Sequence, residues 1–137
     1  MSVIVTDTGF AHNDIDVKLV VLADLEGVAD ASAVDLENTD DPLRLSNRLA
    51  DIALIRVNFP AFNDGRGFTL ARRLRMMGYK GRLRAHGHII ADQYAMARRV
   101  GFDEVEIPDD LAARQPEDQW LFRSDWRAHD YLARLRG

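Results

Sequence analysis

The sequence predicts a single small α/β domain: a parallel sheet of about four to five strands with crossover helices and a helical C-terminal tail. Three observations carry that expectation. Strand-like and helix-like stretches alternate over about 75 residues, the pattern of parallel strands joined by right-handed crossovers. Two of the helical stretches stop at a glycine, Gly78 or Gly101, just ahead of the next strand-like run. An internal echo repeats the unit: Ala71-Arg72-Arg73 precedes Gly78-Tyr79, and Ala97-Arg98-Arg99 precedes Gly101-Phe102. A chain of 137 residues has room for one core. Whether the sheet is doubly wound or curved like a barrel fragment stays open at this level.

Residues 1–16 read as an N-terminal arm or short hairpin, with Val3-Ile4-Val5 as a strand and Gly9 to Asp16 as turn. The domain proper then runs over 17–137. Val17 to Leu22 is a short apolar run suited to a buried strand. Ala33-Val34-Asp35-Leu36-Glu37 alternates apolar and acidic residues, as a strand with one wet face does. Thr39-Asp40-Asp41-Pro42 places a cap and a proline at a helix start, and Leu43, Leu45, Leu49 and Ile52 supply its stripe. Ala53 to Phe59 is a strand closed by Pro60. The loop 61–67 leads into a helix with Phe68, Ala71, Leu74 and Met77 at every third position. Arg82 to His86 is the next strand, 89–100 the next helix, and Phe102 to Ile107 the last strand. Pro108-Asp109-Asp110 opens the tail, 109–137, which carries Trp120, Phe122, Trp126, Tyr131 and Leu135.

Hydrophobic residues make up 47% and charged residues 29%, the balance of a soluble globular protein. No apolar run approaches the roughly 20 residues that span a bilayer. The N-terminal residues lack a basic stretch followed by an apolar one, so a cytoplasmic rather than secreted protein is expected. Absence of cysteine excludes disulfides, cysteine-ligated metal and thiol nucleophiles. The net charge of −4 conceals a division along the chain: residues 1–51 sum to −8, residues 64–99 to +7 and residues 100–137 to −4. A basic middle of that kind marks either a surface for anions and acidic partners or the solvated faces of helices. Nucleic acid is not expected, because the pI is near 5.5 and aromatic and basic residues do not interleave.

Ligands of parallel sheets gather where strands open into helices. Of three such outlets, 59–67 is the most unusual. Asp64-Gly65-Arg66-Gly67 sets two glycines around an arginine at a helix start, where free N–H groups and a guanidinium fork suit an oxyanion. It is not a dinucleotide fingerprint, since the third glycine is missing. The alternative is structural: Asp64 caps the helix and Arg66 pairs with an acid. The second outlet holds His86, His88, Asp92 and Gln93. His86 and Asp92 are the candidates for acid–base catalysis. Asp64, Gly65, Arg66, Gly67 and Gln93 are the candidates for anion binding. Metal binding is not expected, because only a local trio of ligand types is present. His12 and His129 read as surface groups. Asp92 also suits a helix first turn on dipole grounds alone.

The stretch Phe59-Pro60-Ala61-Phe62-Asn63-Asp64-Gly65-Arg66-Gly67-Phe68-Thr69-Leu70-Ala71-Arg72 resembles a bacterial family of unknown function (domain of unknown function 934). So do Gly78 to Ala85, Asp92-Gln93 and Arg99 to Asp103, and the likeness covers about 40–107. The resemblance implies a link to assimilatory sulfite reduction, because members are commonly labelled as oxidoreductases of that process. Two positions depart from the family pattern. Gly87 is followed by His88 rather than aspartate, and Val100 stands where cysteine is common.

Two functions are therefore expected as alternatives. One is an accessory protein of sulfite reduction, an oxidoreductase as far as the resemblance implies, with an anion-receptive site built from Asp64, Arg66, His86, Asp92 and Gln93. Its cofactor is unknown, since electron transfer needs a flavin, a nicotinamide or a partner's metal centre and no motif selects one. The other is a non-enzymatic assembly module whose basic middle docks on a sulfite-reduction partner and whose tail aromatics form a homodimer contact.

Overall fold

The computed structural model describes residues 2–13, 18–28, 31–61 and 64–124. Strands β1 (Ser2–Thr6) and β2 (Gly9–His12) form an antiparallel hairpin. Five strands follow: β3 (Val20–Val21), β4 (Ala33–Glu37), β5 (Leu54–Phe59), β6 (Arg82–Gly87) and β7 (Glu104–Pro108). The α-helices are α1 (Arg66–Met76), α2 (Tyr94–Val100), α3 (Asp109–Arg114) and α4 (Glu117–Phe122). All seven strands join one sheet in the order β2-β1-β7-β6-β5-β4-β3. Strands β3 to β7 are parallel, and β1 lies antiparallel on β7.

Seven strands exceed the expected four to five because the N-terminal segment is part of the sheet. The hairpin covers the outer edge of β7, where unpaired N–H and C=O groups would otherwise face outward. Asp7, in the hairpin turn, fastens it to α2. It accepts hydrogen bonds from the Tyr94 hydroxyl at 2.5 Å and from Arg98 at 3.1 and 3.2 Å. Glu117 of α4 does the same for β2, accepting from the Phe10 amide at 2.8 Å.

Each parallel strand lies beside its predecessor, so the order never reverses as it does in a doubly wound sheet. Right-handed crossovers that advance in one direction put every helix on the same face. The core agrees with this. Val34, Leu36, Ile55, Val57, Phe59, Leu83, Ala85, Val105 and Ile107 form one apolar cluster with side chains of all four helices. The parallel part of the sheet is therefore singly wound, not doubly wound.

Several element boundaries differ from the expectation. Strand β3 is only Val20–Val21, and Leu22–Gly27 is a 3₁₀ segment; Val17 lies outside the described residues. The helix expected after Pro42 is instead two short 3₁₀ segments, Pro42–Leu45 and Leu49–Asp51. Asp41 caps the first of them by accepting from the Leu43 amide at 3.0 Å. Leu43 and Leu45 are two residues apart, which an α-helix cannot place on one face; Leu45 is buried and Leu43 exposed. Helix α2 starts at Tyr94, after a 3₁₀ turn at Ala91–Gln93. In the tail, Trp120 is buried and meets Tyr94 edge-on at 6.1 Å, whereas Phe122 is exposed. Trp126, His129, Tyr131 and Leu135 lie outside the described residues. Among the described residues, no helix is long and apolar enough to cross a membrane.

Candidate functional site

Strand residues alternate between the two faces of a sheet, and here the second face is charged. The register sets Asp35, Arg56, Arg84 and Glu104 side by side across β4 to β7. One step nearer the carboxyl ends, Glu37, Asn58, His86 and Glu106 form a second row. Arg56 grips Asp35 through Nε at 3.1 Å and Nη2 at 2.9 Å, and its Nη1 reaches both oxygens of Glu106 at 3.3 Å. Arg84 is wholly buried. Its Nε donates to Glu104 at 2.6 Å, and its Nη1 to Glu106 at 3.0 Å and to Asn13 of the N-terminal segment at 3.3 Å. Arg82 joins the same carboxylate of Glu104 at 2.6 and 2.9 Å. Planar guanidinium forks shared between carboxylates are the arrangement that compensates buried charge.

His86 stands at the carboxyl side of this layer with 31% of its side chain exposed. Asn58 donates its two amide hydrogens to Asp35 at 2.8 Å and to the Leu36 carbonyl at 3.2 Å. Its oxygen is thereby turned to the imidazole, and His86 Nδ1 donates to it at 2.5 Å. The opposite nitrogen, Nε2, lies 3.4 Å from Glu106 Oε2. Burial and the cation of Arg56 hold the imidazole below its ordinary pKa, against the opposing pull of Glu106 and Asp35. For Glu106, burial pushes the carboxyl up. The neighbouring His86 and Arg56, with hydrogen bonds from Ser2 and Arg84, outweigh that and hold it below the ordinary carboxylate value.

The glycine-flanked arginine lies elsewhere. Arg66 opens α1 and is mostly exposed, clasped side-on by Asp64: Nε is 3.0 and 3.2 Å from its oxygens and Nη2 2.6 Å. Asp64 also accepts from the Arg66 amide at 3.1 Å and from Asn38 Nδ2 at 2.8 Å. These bonds, those from Arg66 first, hold its carboxyl well below the usual carboxylate range. Beside the pair a cleft of about 380 Å³ is lined by Asn38, Thr39, Asp40, Arg66, Thr69, Leu70 and Arg73. The two glycines behave differently from one another. A Cβ on Gly67 would run into the ring of Phe59, so this glycine lets α1 close onto β5, whereas Gly65 faces open space.

Asp92 and Gln93 form a third location. Asp92 is exposed and pairs with Arg123 beyond α4 at 2.9 Å. Gln93 folds back to accept from the Ile90 amide at 3.0 Å, closing the turn that precedes α2. The structure therefore unites Asp64 with Arg66 but joins neither to His86, and Asp92 and Gln93 contact none of them. The expectation of one site built from all five residues gives way to three separate environments. His86 stands on the face of the sheet opposite the one on which α1 packs, whereas Asp64 and Arg66 stand at the start of α1. No group of three or more His, Cys, Asp or Glu residues able to hold a metal occurs among the described residues.

The sequence pattern described as bacterial protein of unknown function (DUF934) matches residues 33–128. The chain belongs to this family. The DUF934 match spans every strand from β4 to β7, and with them Asp35, Arg56, Asn58, Arg84, His86, Glu104 and Glu106. No curated protein and no solved structure matches the chain. Six of those seven layer residues were missed by sequence reasoning, although a signal existed. Charged or polar residues occupy every second place in Asp35–Glu37, Arg56–Asn58, Arg82–His86 and Glu104–Glu106. A parallel sheet covered on both faces would be apolar throughout. Four adjacent strands with this alternation and with opposite signs describe one shared ionic face.

Proposed function

We propose that this DUF934 protein is an oxyanion-binding accessory protein of assimilatory sulfite reduction, working in the cytoplasm, with its receptor in the cleft between the β4–β5 turn and α1. The observation that carries this reading is the lining of that cleft. Arg66 and Arg73, seven residues apart on α1, border it together with Thr69, Asn38 and Asp40, which supplies guanidinium, hydroxyl and amide donors for an oxyanion; Arg73 also lies 3.5 Å from Asp41. Asp64 engages the guanidinium of Arg66 through Nε and Nη2, an alignment that presents the Nη1 edge. The sulfur pathway rests on the family resemblance, and sulfite or sulfate is the matching ligand class.

Docking through the basic middle draws less support. Arg75 is bound to the carbonyls of Tyr79, Gly81 and Gly101, Arg98 to Asp7 and the Phe102 carbonyl, and Arg82 and Arg84 to Glu104. These cations serve the fold.

Titration calorimetry of the whole chain with sulfite, sulfate and phosphate tests the proposal. Binding of at least one anion is expected. Arg66→Ala should weaken it roughly tenfold, the equivalent of one charge-assisted hydrogen bond, without lowering the melting temperature. Absence of heat with all three anions, or equal affinity in Arg66→Ala, would overturn it.

A further inference from the structure

The charged face contains a group that the α1 cleft does not use. Asn58 commits both amide hydrogens to Asp35 and the Leu36 carbonyl, so it can only accept from His86. That fixes the ring hydrogen on Nδ1 and leaves Nε2 with its lone pair. Nε2 belongs to a side chain that solvent reaches, and it faces a carboxylate oxygen of Glu106 at 3.4 Å. The groups around the ring are Asp35 on β4, Arg56 on β5, Arg84 on β6 and Glu106 on β7. Two cations and burial favour the neutral resting ring, while the Glu106 carboxylate is close enough to attract an imidazolium charge. Asn58 holds Nδ1 by a hydrogen bond, and Nε2, 3.4 Å from Glu106, makes none among the described residues.

We propose that His86 is a proton-transfer site, a tautomer-locked imidazole whose Nε2 takes a proton from a small weak acid carrying a dissociable O–H or N–H. The acid's bond to hydrogen breaks and leaves the electron pair on its oxygen or nitrogen. The new N–H forms on Nε2, beside Glu106, and the conjugate base is held by the imidazolium it has created. Asn58 is the positioning residue, and Asp35 orients Asn58 in turn. The arrangement is independent of the α1 cleft.

Long-range ¹H–¹⁵N NMR of the whole chain between pH 4.5 and 8.5, with His86→Gln to assign the signal, reads the tautomer and the titration midpoint. Hydrogen on Nδ1 and a midpoint below that of free histidine are expected. Asn58→Asp, which offers Nδ1 a full carboxylate, should raise the midpoint by about one pH unit or more. Hydrolysis of p-nitrophenyl acetate serves as a second probe, since it reports an accessible neutral imidazole. Its rate should contain a component that follows the NMR midpoint, lost in His86→Gln and kept in His12→Gln. A neutral ring with its hydrogen on Nε2, or a hydrolysis profile unchanged in His86→Gln, would overturn the proposal. If Asn58→Asp fails to fold, the wild-type tautomer and the probe profile decide between the outcomes.

Discussion

Arginine has two distinct uses in this chain, and burial separates them. Arg84 is sealed between Glu104 and Glu106 on the charged face of the sheet, and Arg66 lies in the open with one carboxylate beside it. Removing a buried partner leaves the opposite charges uncompensated, whereas an exposed pair contributes little. Arg84→Ala should therefore lower stability by about 3–5 kcal/mol in urea unfolding. Arg66→Ala should leave the unfolding midpoint close to the parent's. Equal effects of the two substitutions would show that the charged layer is not what holds β6 to β7. Part of the basic middle acquires its meaning here: Arg75, Arg82, Arg84 and Arg98 are counter-charges of acids contributed by the two ends of the chain, Asp7, Asp103, Glu104 and Glu106.

The seating of α1 on β5 depends on an absent side chain. The Phe59 ring packs against Phe68 at 5.0 Å and Phe102 at 5.8 Å, and its remaining side lies under Gly67. Overpacking a filled core by one methyl group typically costs about 1–3 kcal/mol. Gly67→Ala should lower the melting temperature accordingly, and pairing it with Phe59→Leu should return part of the loss. A Gly67→Ala protein as stable as the parent would place the helix farther from the strand than described. Gly87 makes a similar close approach at the end of β6. Its φ is +114°, and a Cβ there would lie 2.6 Å from the Phe59 carbonyl oxygen. Glycines in this loop region thus set the distances between elements, a use that competes with the anion-cradle role their spacing suggests.

For the molecule as a whole, the buried ionic layer ties stability to pH. His86 titrates below its ordinary 6.5 and Glu106 below its ordinary 4.5. A folded-state value below the unfolded one means that the unfolded chain binds the proton more readily. Each group therefore contributes stability above its ordinary pKa, and that contribution is lost as pH falls toward the folded value. Unfolding free energy should be level near pH 7–8, begin to fall below about 6.5 and steepen below about 4.5. In His86→Gln the upper step should vanish and the lower one shrink, because His86 is first among the groups that hold Glu106 down; thermal melts across that range would show both changes. A stability profile that rises on acidification would contradict the neutral resting imidazole.

Much of this architecture is written locally. The alternation of strand and helix, the stops at Gly78 and Gly101 and the apolar faces of β4 to β7 are short-range patterns, legible because periodicity and capping act within a few residues. The pairing of Asp64 with Arg66 is legible for the same reason, being two residues apart. The 3₁₀ segments after Pro42 were less so, because Arg48 holds that stretch by donating to the Leu25 and Val28 carbonyls, a contact distant in sequence. Only the tertiary structure decided that the hairpin caps β7, that the helices share one face, and that Asp35, Arg56, Asn58, Arg84, His86, Glu104 and Glu106 meet on the other. Those outcomes depend on strand order and register, which are set by pairings between segments 20 to 100 residues apart. The sequence by itself determined the parallel α/β class and the segregation of charge along the chain. Folding turned that segregation into a nearly closed ionic layer, because opposite charges taken from water are stable only where the register brings them face to face.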